Sequence, residues 1–445
     1  MTADYLRDTV YPAFFHREQA PAWIAAVAAA LGRAAPKAAS WCEIGCGQGY
    51  GMAVLAAANP AVRFTGIDID PGHIALAQAR ARAAGLTNVT FLCADIRDPA
   101  LTDARFDHIV THGVLSWVGD GVRRAIAGFI ARHLTDDGIA AVHYMSEPGG
   151  TAFRAFHAVF RSVAQQPDPV AEGLRALTAM RDAGTGFFQL HPHAGQTLDK
   201  LLNDPPEYVA HEYLNPVFRP LAFHEIQTLF APLGLSWLGS ATPIENIDAV
   251  SIPAQAARAI GPVADRTLRE TLKDMARNQS LRYDLFARPV AGLSDTAHLD
   301  LLRGVIWRLL PGAPAPGPLT FQTRIGPVEG EAAIFAPLLQ ALAAGDQPFA
   351  ALERVPPFAG RPALLNQALQ MLLWSGAAHP VRPVPDPAPA RRLNRVLLDE
   401  RRLGAAVPAL ACPALGSGLA LGTADLDALS DGSAPRALRH LTALG

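Results

Sequence analysis

A short run near the start of the chain combines one carboxylate with three glycines at alternate positions. Glu43 is followed by Gly45, Gly47 and Gly49, directly after an apolar stretch over residues 40–44 that predicts a β-strand. Glycines let the backbone turn sharply and let a ligand approach closely. Dinucleotide sites use a different spacing, Gly-x-Gly-x-x-Gly, to seat a pyrophosphate on a helix N-terminus. Because the leading carboxylate would repel a pyrophosphate and attract an ammonium group, the spacing favours a ligand with a cationic end.

A second carboxylate, Asp68, ends the next predicted strand, 23 positions after Gly45. An acid at this place can accept hydrogen bonds from both hydroxyls of a ribose. Its neighbour Asp70 precedes Pro71 and is better explained as the N-cap of a helix. Taken in order, the acid, the glycine run and Asp68 resemble the class I S-adenosylmethionine (SAM) methyltransferases.

This resemblance implies SAM as the cofactor and assigns roles at three strand ends. The glycine run would hold the methionine end, Asp68 the ribose, and Asp95 the adenine amino group, with Ile96 packed on the ring. The cofactor-binding residues that the resemblance implies are Glu43, Gly45, Gly47, Gly49, Asp68, Asp95, Ile96 and His112. Methyl transfer from a sulfonium needs no metal, and the four cysteines lack the spacing of metal ligands.

Three residues are candidates for the catalytic end of the site: His112, Tyr144 and Tyr213. His112 follows the fourth predicted strand and faces the transferring methyl group in this fold, where it would act as a base or donor, or only cap a turn. Tyr144 ends the fifth strand, and we expect it to line the same cavity. Tyr213 closes the run His211–Tyr213, which would either shape the acceptor channel or fix a cap to the core. We expect Trp117 to form part of the cavity wall or of the core.

Strands and helices alternate from about residue 38 in the order of a doubly wound α/β sheet. Pro71 opens one helix and Gly85 closes it, as is typical of helix ends. The strands that the pattern predicts are 40–44, 62–68, 89–94, 106–111, 139–144, 235–241 and 281–288. The predicted fold class is therefore the Rossmann-like α/β sheet of class I methyltransferases.

Residues 149–218 interrupt this alternation with a helical pattern. We interpret them as an insertion that forms a helical cap over the carboxyl ends of the strands, where open α/β sheets bind ligands. The aromatic residues Phe187, Phe188, Tyr208 and Tyr213 would give this cap a dry lining. We assign residues 1–292 to the methyltransferase domain, with the cap, or regulatory insertion, at about 149–218.

The remaining residues, 293–445, predict a smaller C-terminal α/β domain. Two Pro-rich stretches, 311–318 and 380–389, indicate linkers or extended loops. Between them lie two short amphipathic helices, at 336–342 and 364–374, and this order suggests a winged-helix-like module. Such modules often mediate protein contacts, so we expect recognition of a protein substrate or of a second subunit in a homodimer.

Two segments resemble bacterial methyltransferases that carry a methyltransferase regulatory domain: Thr111–Val118 and Asp204–Asn215. That family includes protein-lysine methyltransferases acting on outer-membrane proteins, and the resemblance implies N-methylation of lysine. It also implies that the N-terminal lead-in, with Tyr5 and Tyr11, folds over the cofactor. Family members tend to continue Asn-Thr-Tyr-Pro-Gly-Trp after the fifth strand, whereas residues 145–150 here lack those aromatics. Because these border the acceptor site, a small-molecule methyltransferase acting on a secondary metabolite stays the alternative.

Composition restricts the other partners. The formal net charge is −2, with 18% charged and 50% hydrophobic residues, so no basic field draws the chain to nucleic acid or an anionic membrane. From residue 296 on there are 13 basic and 11 acidic residues, which makes a SAM-sensing, DNA-binding regulator the lesser alternative. The apolar run 19–32 is too short to span a bilayer. Few, scattered cysteines favour a reducing compartment, and we expect the cytoplasm.

Overall fold

The computed structural model describes residues 13–383 and 386–431. Its centre is a seven-stranded sheet with the order β3-β2-β1-β4-β5-β7-β6. All neighbouring strands are parallel except β7, which runs antiparallel to both β5 and β6. The strands are β1 (Ser40–Ile44), β2 (Arg63–Asp68), β3 (Val89–Cys93), β4 (Phe106–Thr111), β5 (Leu134–Met145), β6 (Ser236–Ser240) and β7 (Leu281–Ala287). This order confirms the predicted class I methyltransferase fold.

Helices cover both faces of the sheet. The helices outside the cap that precede β7 are α1 (Pro21–Ala30), α2 (Tyr50–Ala58), α3 (Pro71–Ala83), α4 (Asp120–His133), α10 (Phe223–Phe230), α11 (Asp248–Ser251), α12 (Ala254–Ile260) and α13 (Arg266–Arg277). Side chains of α1, α2 and α3 share one apolar cluster with Trp41 of β1, while those of α4 and α10 share another with its neighbour Cys42. Successive residues of a strand point to opposite faces, so β1 is buried on both sides.

The start of α3 confirms the predicted helix cap. The Asp70 carboxylate accepts hydrogen bonds from the backbone N–H groups of Gly72 (2.7 Å) and His73 (3.0 Å). Pro71 occupies the first helical position, where its missing N–H costs nothing. The helix therefore begins directly behind the end of β2 and leaves Asp68 free for the site.

The predicted cap consists of five helices above the strand ends. They are α5 (Thr151–Ser162), α6 (Pro169–Asp182), α7 (Gly186–Leu190), α8 (Pro192–Leu201) and α9 (Pro206–Tyr213). The cap has an apolar core of its own, built around Phe156, Phe160, Leu198 and Tyr213. It is thus held together internally and not only by the sheet below it.

The C-terminal region contains three small sheets and six helices within the described residues. Its elements are α14 (Asp295–Arg303), β8 (Ile306–Leu309), β9 (Leu319–Thr323), β10 (Gly326–Gly330), α15 (Ala332–Ala343), β11 (Gln347–Pro348), α16 (Phe349–Leu352), α17 (Pro362–Ser375), β12 (Ala378–Val381), α18 (Ala388–Arg402), β13 (Leu410–Cys412), β14 (Ser417–Leu419) and α19 (Thr423–Asp431). Both predicted amphipathic helices are present, as α15 and α17. The second Pro-rich stretch is not a linker throughout, because Pro380 pairs with Trp307 inside a sheet and α18 begins at Ala388.

This region packs directly on the outer side of α1 and α2. Trp23 and Val27 of α1 belong to the same apolar cluster as Leu338 and Leu365. Farther along, Val54 of α2 shares a cluster with side chains of α18 and β13. The predicted division at residue 292 therefore separates two segments that share apolar cores. Among the described residues, no helix has both the length and the apolar character needed to cross a bilayer.

Candidate functional site

The carboxyl ends of β1, β2, β4 and β5 open into a cavity of about 1090 Å³. Its wall includes the segment 13–20 before α1, the strand ends, the cap, the segment 242–251 after β6, and the turn of the β9–β10 hairpin. Typical small-molecule sites span roughly 300–1,000 Å³, so the cavity has room for a cofactor and part of an acceptor. It lies at the point where the strand order reverses between β1 and β4, the usual ligand position in open α/β sheets.

Asp68 is held rigidly at one side of this cavity. One carboxylate oxygen accepts a hydrogen bond from the backbone N–H of Gly47 (2.8 Å), and the other accepts one from the N–H of Asp70 (2.9 Å). An ionised carboxylate has about four acceptor sites, so lone pairs remain for a ligand. His73 lies 3.9 Å from the carboxylate, and this contact raises the pKa of the imidazole. The arrangement fits the ribose role that the sequence predicts.

Asp95 and Ile96 line the neighbouring stretch of the wall. The Asp95 carboxylate forms a bidentate ion pair with Arg97, whose shortest N–O distance is 2.6 Å. Ile96 contributes an apolar surface beside it. An acceptor group next to an apolar side chain at the end of β3 fits an adenine ring.

The three glycines of the run differ in their surroundings. Gly47 has φ of +52°, and a Cβ there would meet nothing within 4 Å, which leaves open space for a ligand. A Cβ on Gly49 would lie 2.6 Å from the side chain of Ala77 and 2.7 Å from the ring of Phe91. Gly45 and Gly47 line the cavity, whereas Gly49 serves the packing of the loop against α3 and β3.

Glu43 lies behind the cavity wall, although the sequence places it at the methionine end of the cofactor. Its carboxyl group is buried and has the Gln19 side chain as a hydrogen-bond partner. Burial, with a smaller contribution from the charge of Asp68, raises the pKa of Glu43 to about 8. At neutral pH the group is therefore largely protonated and anchors the segment before α1.

Three stacked imidazoles form another part of the cavity wall. The rings of His16 and His112 are 3.6 Å apart between centroids, and those of His112 and His143 are 3.9 Å apart. Burial lowers the pKa of all three groups, that of His143 to about 3. The backbone N–H of Gly113 donates to Nδ1 of His143 (3.2 Å), so a neutral His143 carries its proton on Nε2. The stack is neutral near pH 7 and offers a polar but uncharged surface.

The prediction that Tyr144 lines the cavity is wrong. Tyr144 is fully buried in the opposite face of the sheet, and its hydroxyl donates to the Asp284 carboxylate (2.7 Å), which also pairs with Arg282. The physical reason is the period of two along β5: His143 faces the cavity, so Tyr144 cannot. This buried hydroxyl supports the Arg282–Asp284 pair.

The cap contributes an aromatic wall. Phe153 stacks on Tyr213 with ring centroids 4.2 Å apart, and the Trp117 ring lies 5.7 Å from Phe153. Tyr208, His211, Glu212 and Tyr213 of α9 all line the cavity. Phe187 and Phe188, which the sequence also predicts as lining, instead pack against Phe156 inside the cap. Both rings are half-buried and pack against the apolar core of the cap, so they do not line the cavity.

Several residues of the cavity wall are absent from the sequence-based candidates, among them His16, Glu18, His143 and Tyr283. His16 and Glu18 belong to the lead-in that the resemblance places over the cofactor, although Tyr5 and Tyr11, on which that prediction is based, lie outside the described residues. His143 and Tyr283 are direct partners in the β5–β7 register. Alternation along a strand could have indicated them if the buried face of β5 had been known.

Two family models match the chain. A "Methyltransferase domain" covers residues 42–138, and a "Predicted methyltransferase regulatory domain" covers residues 205–288. The first contains the glycine run, Asp68, Asp95 and His112. The second contains α9 and the strands β6 and β7 but not the other cap helices, so the regulatory segment is not the 149–218 insertion as a whole.

Two curated relatives and one solved structure are similar to much of this chain. An uncharacterized protein of Synechocystis, sll1526, is 30% identical over 349 residues, which cover 77% of this chain and 69% of the relative. The uncharacterized protein RP789 of Rickettsia prowazekii is 25% identical over 279 residues. The match covers 61% of this chain and 50% of that protein. The structure of PKMT2 from Rickettsia typhi in complex with AdoHcy is similar, with a TM-score of 0.72 at 19% identity. The aligned residues cover 95% of this chain and 88% of the PKMT2 chain.

The sheet order, the matched models and the relative from Synechocystis all point to one family. Its cofactor is SAM, and the residues at the ends of β1, β2 and β3 fit that molecule. The chain belongs to the class I SAM-dependent methyltransferases that carry a methyltransferase regulatory domain.

Proposed function

We propose that this methyltransferase acts on a nitrogen atom of a protein side chain, that of lysine. The observation that carries the proposal is the size of the cavity, about 1090 Å³, whose wall extends beyond the predicted cofactor-binding residues to a lobe that we define by the segment after β6 and the β9–β10 turn. Thr242 and Glu245 line this lobe, together with Gln322–Arg324 in the β9–β10 turn. Arg324 donates to the Ser280 hydroxyl (3.1 Å) and fixes the turn at the rim. A side chain reaching in from a protein surface would fit such a lobe.

The cofactor, when bound, supplies a methyl group on a positively charged sulfur. The protein has to orient an acceptor nitrogen, exclude water and favour its unprotonated form. Orientation alone is worth roughly 7–11 kcal/mol in well-aligned cases. The cap and the strand ends hold rigid groups around the cavity, including the stacked pair Phe153 and Tyr213. We assign Asp68, Asp95, Ile96, Gly45 and Gly47 to cofactor binding.

Proton removal is the second requirement for a lysine acceptor. An apolar, aromatic wall disfavours the ammonium form and so lowers the pKa of a lysine that enters it. His112 is neutral at pH 7 and lines the same cavity, so its ring can hydrogen-bond the amine, whereas its lowered pKa disfavours uptake of the amine's proton. Tyr213 shapes the wall on the cap side. We assign these two residues to the acceptor end of the site.

The likeness to PKMT2 supports the acceptor class, as does the resemblance of Thr111–Val118 and Asp204–Asn215 to protein-lysine methyltransferases. The altered segment 145–150 is the observation that favours a small-molecule acceptor instead. Balanced charge in the C-terminal region supports a protein partner or a second subunit over a nucleic acid. The few, scattered cysteines of the sequence support the cytoplasm as the location.

The test uses methyl-labelled SAM, the purified protein and a lysate of its host. Label in discrete protein bands that is recovered as methyl-lysine after hydrolysis would support the proposal. Label confined to the small-molecule fraction would contradict it and favour a methyltransferase that acts on a secondary metabolite. An Asp68→Ala variant in a parallel reaction separates enzyme-dependent label from background.

A further inference from the structure

We propose that Glu18, and not Glu43, presents the carboxylate that binds the ammonium group of the cofactor's methionine end. Glu18 lines the cavity together with Gly45, Gly47, His112 and Tyr283, whereas Glu43 does not. This assignment concerns the cofactor site and does not depend on the identity of the acceptor.

The segment before α1 holds Glu18 firmly in this place. Residues 17–19 form a 3-10 turn, and the indole N–H of Trp41 donates to the carbonyl oxygen of Gln19 (3.3 Å). On the other side of Glu18, His16 stacks on His112. A Cβ on Gly51 would lie 3.5 Å from the Phe14 carbonyl oxygen, so the segment also packs against the start of α2. Glu18 is thus held on the cavity wall that it shares with Gly45 and Gly47.

Of the other carboxylates on the cavity wall, Glu212 belongs to α9 of the cap, and Asp68, Asp95 and Glu245 have internal partners. Asp68 accepts two backbone N–H groups, and Asp95 is paired with Arg97. Glu245 accepts from the Ser240 hydroxyl (2.7 Å) and the Gln279 amide (2.6 Å). Glu18 is contacted by its chain neighbour Arg17 at 3.4 Å, and both side chains are partly exposed. Glu18 therefore offers a partly exposed carboxylate to a cationic ligand on this wall.

Tyr283 supplies a second, independent sign of a ligand at this place. It is 4% exposed and lines the cavity, and its hydroxyl has no hydrogen-bond partner among the described residues, although the Gln19 amide lies nearby. Burial raises the pKa of this phenol, and the charges of Glu18 and Glu43 add to the shift. A buried hydroxyl without a partner is costly unless a ligand satisfies it. An ammonium group between Glu18 and Tyr283 would do so.

The test compares two probes that differ in the amino-acid part. AdoHcy carries the amino and carboxyl groups, whereas 5′-methylthioadenosine retains the adenosine and thioether but lacks both. For Glu18→Gln we expect AdoHcy affinity by calorimetry to fall by about tenfold or more, because a charge-assisted hydrogen bond is lost. Affinity for 5′-methylthioadenosine should stay within about twofold, which also shows that the variant is folded.

Two further variants sharpen the result. Tyr283→Phe should weaken AdoHcy selectively but less than Glu18→Gln, and Glu207→Gln, an exposed cap residue outside the cavity wall, should change neither affinity. Equal losses for both probes with Glu18→Gln, or no loss for AdoHcy, would overturn the assignment. Unchanged AdoHcy affinity in Glu18→Gln together with a raised KM for the methyl acceptor would also overturn it, because the carboxylate would then face the acceptor. Failure of the wild-type protein to bind AdoHcy would instead contradict the assignment of SAM as the cofactor.

Discussion

Asp68 combines ligand binding with support of the loop that surrounds the ligand. It accepts the N–H of Gly47 while facing the cavity, so its removal deletes a ribose acceptor and loosens the glycine turn. We expect Asp68→Ala to abolish AdoHcy binding by calorimetry while the circular dichroism spectrum stays native. The control is Asp98→Ala, an exposed carboxylate outside the cavity wall. Unchanged affinity in Asp68→Ala would remove the ribose assignment.

Glu43 makes the stability of the protein depend on pH. Its pKa is 4.5 in the unfolded chain and about 8 in the folded protein, so the folded state binds the proton more tightly. Its favourable contribution is fully present below about pH 4.5 and is lost as the pH rises through about 8. Glu43→Gln, which mimics the protonated form, should therefore stabilise the protein increasingly between these limits, by up to a few kcal/mol.

Urea unfolding of both proteins at about pH 5, 7 and 9 measures this effect. The difference in unfolding free energy should grow with pH and then level off. A constant difference across this range would mean that Glu43 is ionised in the folded protein. Glu18 would then no longer be the distinctive carboxylate of that end of the site.

At the scale of elements, the cap has a core that can be perturbed separately from the sheet. Gly173 of α6 packs so closely that a Cβ would lie 2.4 Å from the ring of Phe160. Gly173→Ala should therefore lower cap stability by about 1–3 kcal/mol through overpacking. Hydrogen exchange should become faster in α5, α6 and α8 and remain unchanged in β1 and β4.

Gly195 of α8 provides the matched control for this substitution. A Cβ there meets nothing within 4 Å, so Gly195→Ala should be neutral or stabilise the helix by about 0.5–1 kcal/mol. If Gly173→Ala instead speeds exchange in the central strands, the cap and the sheet unfold as one unit. If the two variants behave alike, packing against Phe160 is not what holds α6.

At the scale of the whole molecule, the shared apolar clusters predict that the two segments stay together after the chain is cut. The connection around Ala291 and Gly292 is exposed, whereas Trp23 and Leu365 lie in one buried cluster across the boundary. Tyr50 also donates its hydroxyl to the carbonyl oxygen of Ala409 (2.7 Å). Burial of apolar surface, at about 25 cal/mol per Å², favours the associated state.

Cleavage at a protease site inserted between Ala291 and Gly292 tests whether the two segments stay associated. The cut pieces should co-elute in size-exclusion chromatography under native conditions and separate in urea. Separation without denaturant would mean that the C-terminal region is an independent module joined by a linker. The division at residue 292 itself stays a prediction, and a folded, AdoHcy-binding fragment 1–292 would support it.

Local order along the chain determined the fold class and much of the cofactor half of the site. The glycine run, Asp68 and Asp95 follow consecutive strands, and parallel strands bring their carboxyl ends to one edge whatever else surrounds them. The Asp70 cap also depends only on neighbouring residues, because its hydrogen bonds span two and three positions. These features could be predicted because each depends on short-range geometry.

Tertiary structure alone decided which side chains face the cavity. His143 and Tyr144 are adjacent, and only the packing of β5 between β4 and β7 determines which of them points inward. Glu18 and Glu43 are equally acidic in the sequence, but the folded segment before α1 buries one and leaves the other on the cavity wall. Whether a side chain is buried or points into the cavity depends on contacts between residues that are distant in sequence. The spacing of residues along the chain does not determine those contacts.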